Sequence, residues 1–170
     1  IDQYKHQWNV VDAIAQLRDA TGWNLELELV GPVYAPALRR LQKSIEAHDP
    51  DHEWIKFHGS IPFDKLHTIY EQADLGLFAS SCENMPNILL ETMASGLPVV
   101  SSNRGPMPEI LGDAGLYFDP EDPSDIASAL EKLILSPRLR TTFSRASFDA
   151  SKKFRWDRCA DETFSFLAEV

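Results

Sequence analysis

Two glutamates eight positions apart, Glu83 and Glu91, flank a Met85-Pro86-Asn87 turn in the stretch SSCENMPNILLETMASGLPVVSS, residues 80–102. Acidic side chains are almost never fully buried without a partner, yet Glu91 sits inside the apolar run Ile-Leu-Leu-Glu-Thr-Met-Ala. Pro86 suits the first turn of a helix, where its missing N–H is not needed. The N–H groups of Asn87, Ile88 and Leu89 are then expected to point out of the helix start, an arrangement that attracts phosphate. Glu91 follows Asn87 by four residues and so shares its face, leaning back toward the N-terminus as helical side chains do. Two carboxylates would repel a phosphate, but each can accept both hydroxyls of a vicinal diol. A ligand with phosphates in its middle and a diol at each end satisfies all three features, and a nucleoside diphosphate sugar has that layout.

The flanking elements place this turn. Apolar residues at Val10, Val11, Ile14 and Leu17 predict a helix over 8–20, stopped by Thr21-Gly22. Further helices are predicted over 35–48, 62–73, 87–96, 122–136, 137–154 and 156–170, with Asp-Pro-Ser capping chemistry opening the one at 122. Strands are predicted around 24–31, 53–59, 74–80, 97–102 and 115–118. Regular alternation of strand and helix implies right-handed βαβ units, and hence an α/β fold in which a Rossmann-like parallel sheet carries helices on both faces. Four polar loops follow strands directly: Gly31-Pro32, His58-Gly59-Ser60, Ser80–Glu83 and Ser101–Gly105. Ligands of such sheets bind beyond the carboxyl ends of the strands, so these loops are expected along one binding rim.

The bulk composition narrows the function. With 170 residues, 44% of them hydrophobic and 25% charged, the chain suits one globular domain with a sizeable core. A net charge of −10 argues against nucleic-acid binding, which needs clustered Lys and Arg, and requires any anionic ligand to be held by local donors. Cys82 and Cys159 are too few for a disulfide framework, which points to a reducing, cytoplasmic setting. No run approaches a membrane span, and no metal-ligand spacing joins the two cysteines and five histidines. The opening IDQYKHQWNV has neither an initiator Met nor a signal architecture, and reads as part of a longer chain.

The stretch from Glu83 to Glu91, continued through Ala94, Gly96 and Pro98-Val99-Val100, resembles the E-x(7)-E signature of retaining GT-B glycosyltransferases of the group 1, or family-four, class. The resemblance extends through LELELVGP, IKFHGSIP, IYEQADLGLFAS, PEILGDAGLYFDPEDPSDIASAL and KFRWDR, essentially the whole chain. It implies that residues 1–170 form a single nucleotide-sugar-binding domain, the C-terminal half of such an enzyme, without its first strand and its N-terminal acceptor domain. By resemblance the catalytic residues are Glu83, at the donor sugar hydroxyls, and Lys5, which neutralises the diphosphate. Asn84, Met85, Pro86, Asn87 and Ile88 then hold sugar and diphosphate, Glu91 accepts from the ribose, and Gly59 and Ile61 pass the base. The implied reaction transfers a hexosyl group from a nucleotide sugar to an acceptor hydroxyl with retention. It uses no metal or other cofactor, and any membrane contact comes through the missing half. Asn84 and Thr92 depart from the small residue and the Ala common at those positions.

Competing readings are weaker. A phosphorylation-controlled receiver needs an acidic group at a strand's carboxyl end, whereas Asp74 begins its strand; a dinucleotide oxidoreductase needs G-x-G-x-x-G, which is absent. A non-catalytic nucleotide- or protein-binding module of the same fold stands as the alternative. His58 reads as a packed or hydrogen-bonded strand-end histidine. Pro50 separates His48 from His52 and removes the helix that a metal pair would need. Cys82 reads as a small packed residue, and Trp156 with Phe154 as an anchor for the last helix.

Overall fold

A computed structural model describes residues 1–169. After a 3-10 turn, Gln3–Lys5, the elements run α1 (Gln7–Thr21), β1 (Leu27–Val30), α2 (Ala35–His48), β2 (Ile55–Gly59), α3 (Phe63–Gln72), β3 (Gly76–Phe78), α4 (Asn87–Ala94), β4 (Val99–Ser102), α5 (Met107–Leu111), β5 (Gly115–Phe118), α6 (Pro123–Ile134), α7 (Pro137–Ser151) and α8 (Trp156–Glu169). The α/β alternation is thus as the sequence predicts; Val170, expected in the last helix, lies outside the described residues. The capping chemistry of α6 is also present, with the Asp122 carboxylate accepting from the N–H groups of Ser124 and Asp125.

Every strand pairing is parallel, but the sheet is divided. Among the described residues β1 pairs only with β2, and β3–β4–β5 form a separate three-stranded group. The single continuous sheet expected from the sequence is therefore open between β1 and β3, and hydrogen-bond directions show why. In a parallel strand alternate residues serve opposite neighbours. The N–H groups of Leu27 and Gly31 reach β2 and its flank at Trp54 O and Gly59 O, both at 2.8 Å, which leaves Glu28 and Val30 facing away. Gly76 N–H reaches Pro98 O at 3.0 Å on the β4 side, leaving Leu75 and Leu77 facing the opening. Backbone groups demand partners, so each edge is a template for another strand.

Between these edges lies a cavity of about 1150 Å³. Val10 and Ile14 of α1 with Leu130 and Ile134 of α6 line one side, and Leu66, Ile69 and Tyr70 of α3 line the other. This explains why α3 buries no residue despite its apolar stripe. The main core joins α1, α2 and α6 around the sheet, with Val11, Leu41, Val100, Phe118, Ile126 and Leu133 almost fully buried. A second cluster under α4 and α5 contains Leu89, Met93, Val99, Met107 and Leu111.

Trp156 does not anchor α8. It is 86% exposed, and Phe164, Phe166 and Leu167 of the same helix are also exposed, because the helix's apolar face meets no partner among the described residues.

Candidate functional site

The loops that follow the strands gather at one rim, as expected from the sequence. Residues 1–4 cross it like a strap. Ile1 N donates to Pro32 O, Tyr34 N–H donates to Ile1 O at 2.9 Å, and Ser81 N–H donates to Tyr4 O at 2.7 Å. The strap thus touches the carboxyl ends of both β1 and β3, which places those ends on the same side of the molecule. At Gly105 an added Cβ would lie 3.8 Å from Ser81 O, so the loop after β4 also approaches.

Lys5 and Glu83 meet directly: the Lys5 ammonium forms an ion pair with Glu83 Oε1 although 78 residues separate them. Their side chains are 19% and 14% exposed. The ammonium also stands 5.2 Å from the Phe78 ring centroid and 5.3 Å from that of Tyr4, within cation–π range. A cation and an acid are therefore held together where β3 ends, beside the start of α4.

The α4 entrance differs in detail from expectation. The helix begins at Asn87, and Pro86 is its cap, buried with φ −80° and ψ 73°. The Asn87 N–H is not free, because a tight turn gives it to Met85 O at 2.9 Å. Ile88 and Leu89 are left with the unused first-turn donors. Asn84, Met85, Asn87 and Ile88 are exposed around this entrance.

Glu91, half-buried, accepts from the Tyr70 hydroxyl at 3.3 Å. Burial first, and then the Glu91 charge, push the Tyr70 phenol up to about 12, so it remains a proton donor at neutral pH. From the sequence, Tyr70 has no role beyond lying within the helix predicted over 62–73. The signal lay in its type, since a buried tyrosine hydroxyl needs a polar partner. Thr92, next to Glu91, packs its methyl over Gly76 and bonds Ile88 O at 2.7 Å, so this departure from Ala serves the α4–β3 contact.

Gly59 ends β2 at φ +65° and its carbonyl accepts from Gly31 N–H; Ile61 follows, half-buried. Neither lines the cavity, whereas Lys5 and Ile88 do, together with Tyr4, Tyr70 and Ser80. Of the two alternatives for His58, the structure shows the hydrogen-bonded one, with Glu28 as partner, and His48 lies 3.2 Å from Asp12. Cys82 is exposed rather than packed, because the loop after β3 turns it away from the core. Among the described residues no three His, Cys, Asp or Glu side chains cluster as a metal site, and no helix is long and apolar enough to cross a membrane.

Parallel strands, flanking helices and polar groups collected beyond the strand ends define a Rossmann-like α/β class of domain. Within it the chain belongs to the group 1 glycosyltransferases, whose family pattern matches residues 1–136. It is 31% identical over 112 residues to O-antigen chain mannosyltransferase B of Escherichia coli, covering 66% of this chain and 29% of that protein. It is 32% identical over 118 residues to D-inositol 3-phosphate glycosyltransferase of Corynebacterium jeikeium, covering 68% and 28%. The matched region thus spans less than a third of these curated relatives. In fold it is similar to Anabaena HepE, solved with UDP and glucose, at TM-score 0.87 and 20% identity over 100% of this chain and 46% of that one. It is also similar to the C-terminal domain of the group 1 protein LpcC from Francisella tularensis, at TM-score 0.76 and 24% identity over 90% and 80%. The fold is thus that of the C-terminal domain of GT-B glycosyltransferases.

Proposed function

We propose that residues 1–170 are the donor-binding half of a retaining hexosyltransferase that uses a nucleoside diphosphate sugar. The observation that carries this reading is the pairing of Lys5 with Glu83 beside the α4 entrance, with Glu91 held one turn further in. In the complete protein Glu83 and Asn84 take the sugar hydroxyls, and Met85 to Ile88 hold the diphosphate. Glu91 takes the ribose diol, and Gly59 and Ile61 flank the base. Before donor arrives, Lys5 and Glu83 satisfy each other. When it binds, the lysine turns to the diphosphate and the carboxylate to the sugar hydroxyls. As the glycosidic bond breaks, negative charge grows on the diphosphate, and Lys5 with the α4 donors meets it. This is preorganised electrostatic stabilisation, which asks for no covalent nucleophile and no metal.

The opening between β1 and β3 supports the division of labour. We read it as the seat of a further parallel strand supplied by polypeptide outside these residues, together with an acceptor-binding half. The uncovered apolar face of α8 suits contact with that half. The setting is cytoplasmic, and membrane association, where it occurs, comes through the acceptor half. Titration with nucleoside diphosphates, with Glu91→Ala as control, tests the donor site. Glycosyl transfer by residues 1–170 alone would contradict the half-site reading.

A further inference from the structure

The residue after Lys5 is built in an unusual way. His6 has φ +50° and ψ 28°, one of two non-glycine residues with positive φ among those described. Left-handed backbone is uncommon outside glycine, and where it persists the surroundings must over-determine it. His6 closes the 3-10 turn that carries Lys5 and caps α1, its carbonyl accepting from Asn9 N–H at 2.9 Å. The residue is 9% exposed, its ring stands edge-on to Trp8 at 5.8 Å, and its Nε2 lies 2.8 Å from Ser81 Oγ. Ser81 Oγ also lies 3.3 Å from Tyr4 O, so the one hydroxyl joins both His6 and the backbone of Tyr4. With the Ser81 N–H bond to Tyr4 O, three hydrogen bonds tie residues 4–6 to Ser81, two positions before Glu83.

We propose that His6 is the positioning residue for Lys5: its left-handed backbone and its bond to Ser81 aim the ammonium at the point where the donor's diphosphate lies. This rests on the donor-site reading of Lys5. The ring acts from behind the lysine and touches no substrate. Burial lowers its basicity, with Arg40 adding to that and Glu121 and Asp119 opposing it, so the ring is neutral at pH 7 and keeps one nitrogen free of a proton.

The inference is tested in the full-length protein by comparing affinities for a nucleoside diphosphate and its monophosphate, UDP against UMP for a uridine site, or the guanosine or adenosine pair. Lys5 addresses the distal phosphate, so the ratio of the two affinities reports its placement, whereas general loosening of the domain weakens both. His6→Gly allows the backbone angle but removes the ring, and Ser81→Ala removes the ring's hydrogen-bond partner. Each is expected to lower the diphosphate preference about tenfold, the effect of misplacing one charged contact, with monophosphate affinity unchanged. His6→Gln, whose amide nitrogen reaches the same oxygen, restores the preference. If Lys5→Ala removes the preference while His6→Gly or Ser81→Ala keeps it, or if His6→Gln fails to restore it in a folded protein, the inference is overturned and the donor site stands. If Lys5→Ala itself leaves the preference intact, the donor-site role of Lys5 fails and the inference falls with it.

Discussion

Replacing Gly76 by Ala tests how α4 is seated on β3. A Cβ at Gly76 would lie 2.1 Å from Thr92 Cγ2, where ordinary contact begins near 3.4 Å. The threonine cannot turn aside freely: it is 6% exposed, its χ1 is restricted by branching, and its hydroxyl bonds Ile88 O at 2.7 Å. The overlap must therefore be relieved by moving α4. Overpacking of this kind costs about 1–3 kcal/mol. A cost of about 2 kcal/mol corresponds to a drop of about 4–8 °C in Tm for a domain of this size. Thr92→Ala gives up one buried methyl, about 0.8 kcal/mol, and regains about 0.5 kcal/mol in helix propensity, so it is close to neutral. The double variant should then match Thr92→Ala, giving a coupling of about 2 kcal/mol between the two positions. Thermal denaturation of the four proteins measures this directly, and nucleotide affinity should follow the same pattern because Glu91 adjoins Thr92. A Gly76→Ala protein as stable as wild type, or a double variant no better than Gly76→Ala, would refute the reasoning.

Asp49 is 3% exposed and its carboxylate accepts from Glu53, Trp54 and Ile55 N–H at 2.8, 3.0 and 2.7 Å. Asp49→Asn should cost about 2 kcal/mol in chemical denaturation at pH 7, where these are charge-assisted bonds. Burial pushes this carboxyl up, but the N–H groups of Trp54, Ile55 and Glu53 outweigh it and leave the group below its ordinary value. Its stabilising effect is therefore complete above about pH 3.9 and is lost as pH falls through the folded value. The difference between wild type and Asp49→Asn should shrink with acidification; a constant difference would contradict this. Tyr70→Phe should weaken ribonucleotide binding about threefold to tenfold by freeing the Glu91 carboxylate from its donor. Calorimetry checks this, and unchanged affinity would remove Tyr70 from the site.

The sequence made the alternating elements legible because they are periodic and their stops are marked. Val10, Val11, Ile14 and Leu17 share one helical face, and Gly22 ends that helix in the left-handed conformation. Glu83 and Glu91 stood out through spacing and flanking pattern and Lys5 through the family resemblance alone, and Lys5 with Glu83 meet although 78 residues separate them. What stayed hidden depends on three-dimensional neighbours. Tyr70 looks like one more apolar helix position until α3 and α4 are brought together. The Asn87 N–H was assigned to the ligand because nothing local announces the turn back to Met85 O. The break between β1 and β3 was invisible because strand order across a sheet is not written in the period of any one strand. His6 gave no sign of its left-handed backbone, which only its bond to Ser81 makes intelligible.

The most direct test of the central claim is calorimetric titration of the full-length protein with UDP, GDP and ADP, repeated with Glu91→Ala. The account predicts that one of the three binds selectively and that the substitution weakens it about tenfold to a hundredfold, as expected for loss of charged hydrogen bonds to the ribose. Absence of binding at millimolar concentration, or equal affinity in wild type and Glu91→Ala, would contradict it.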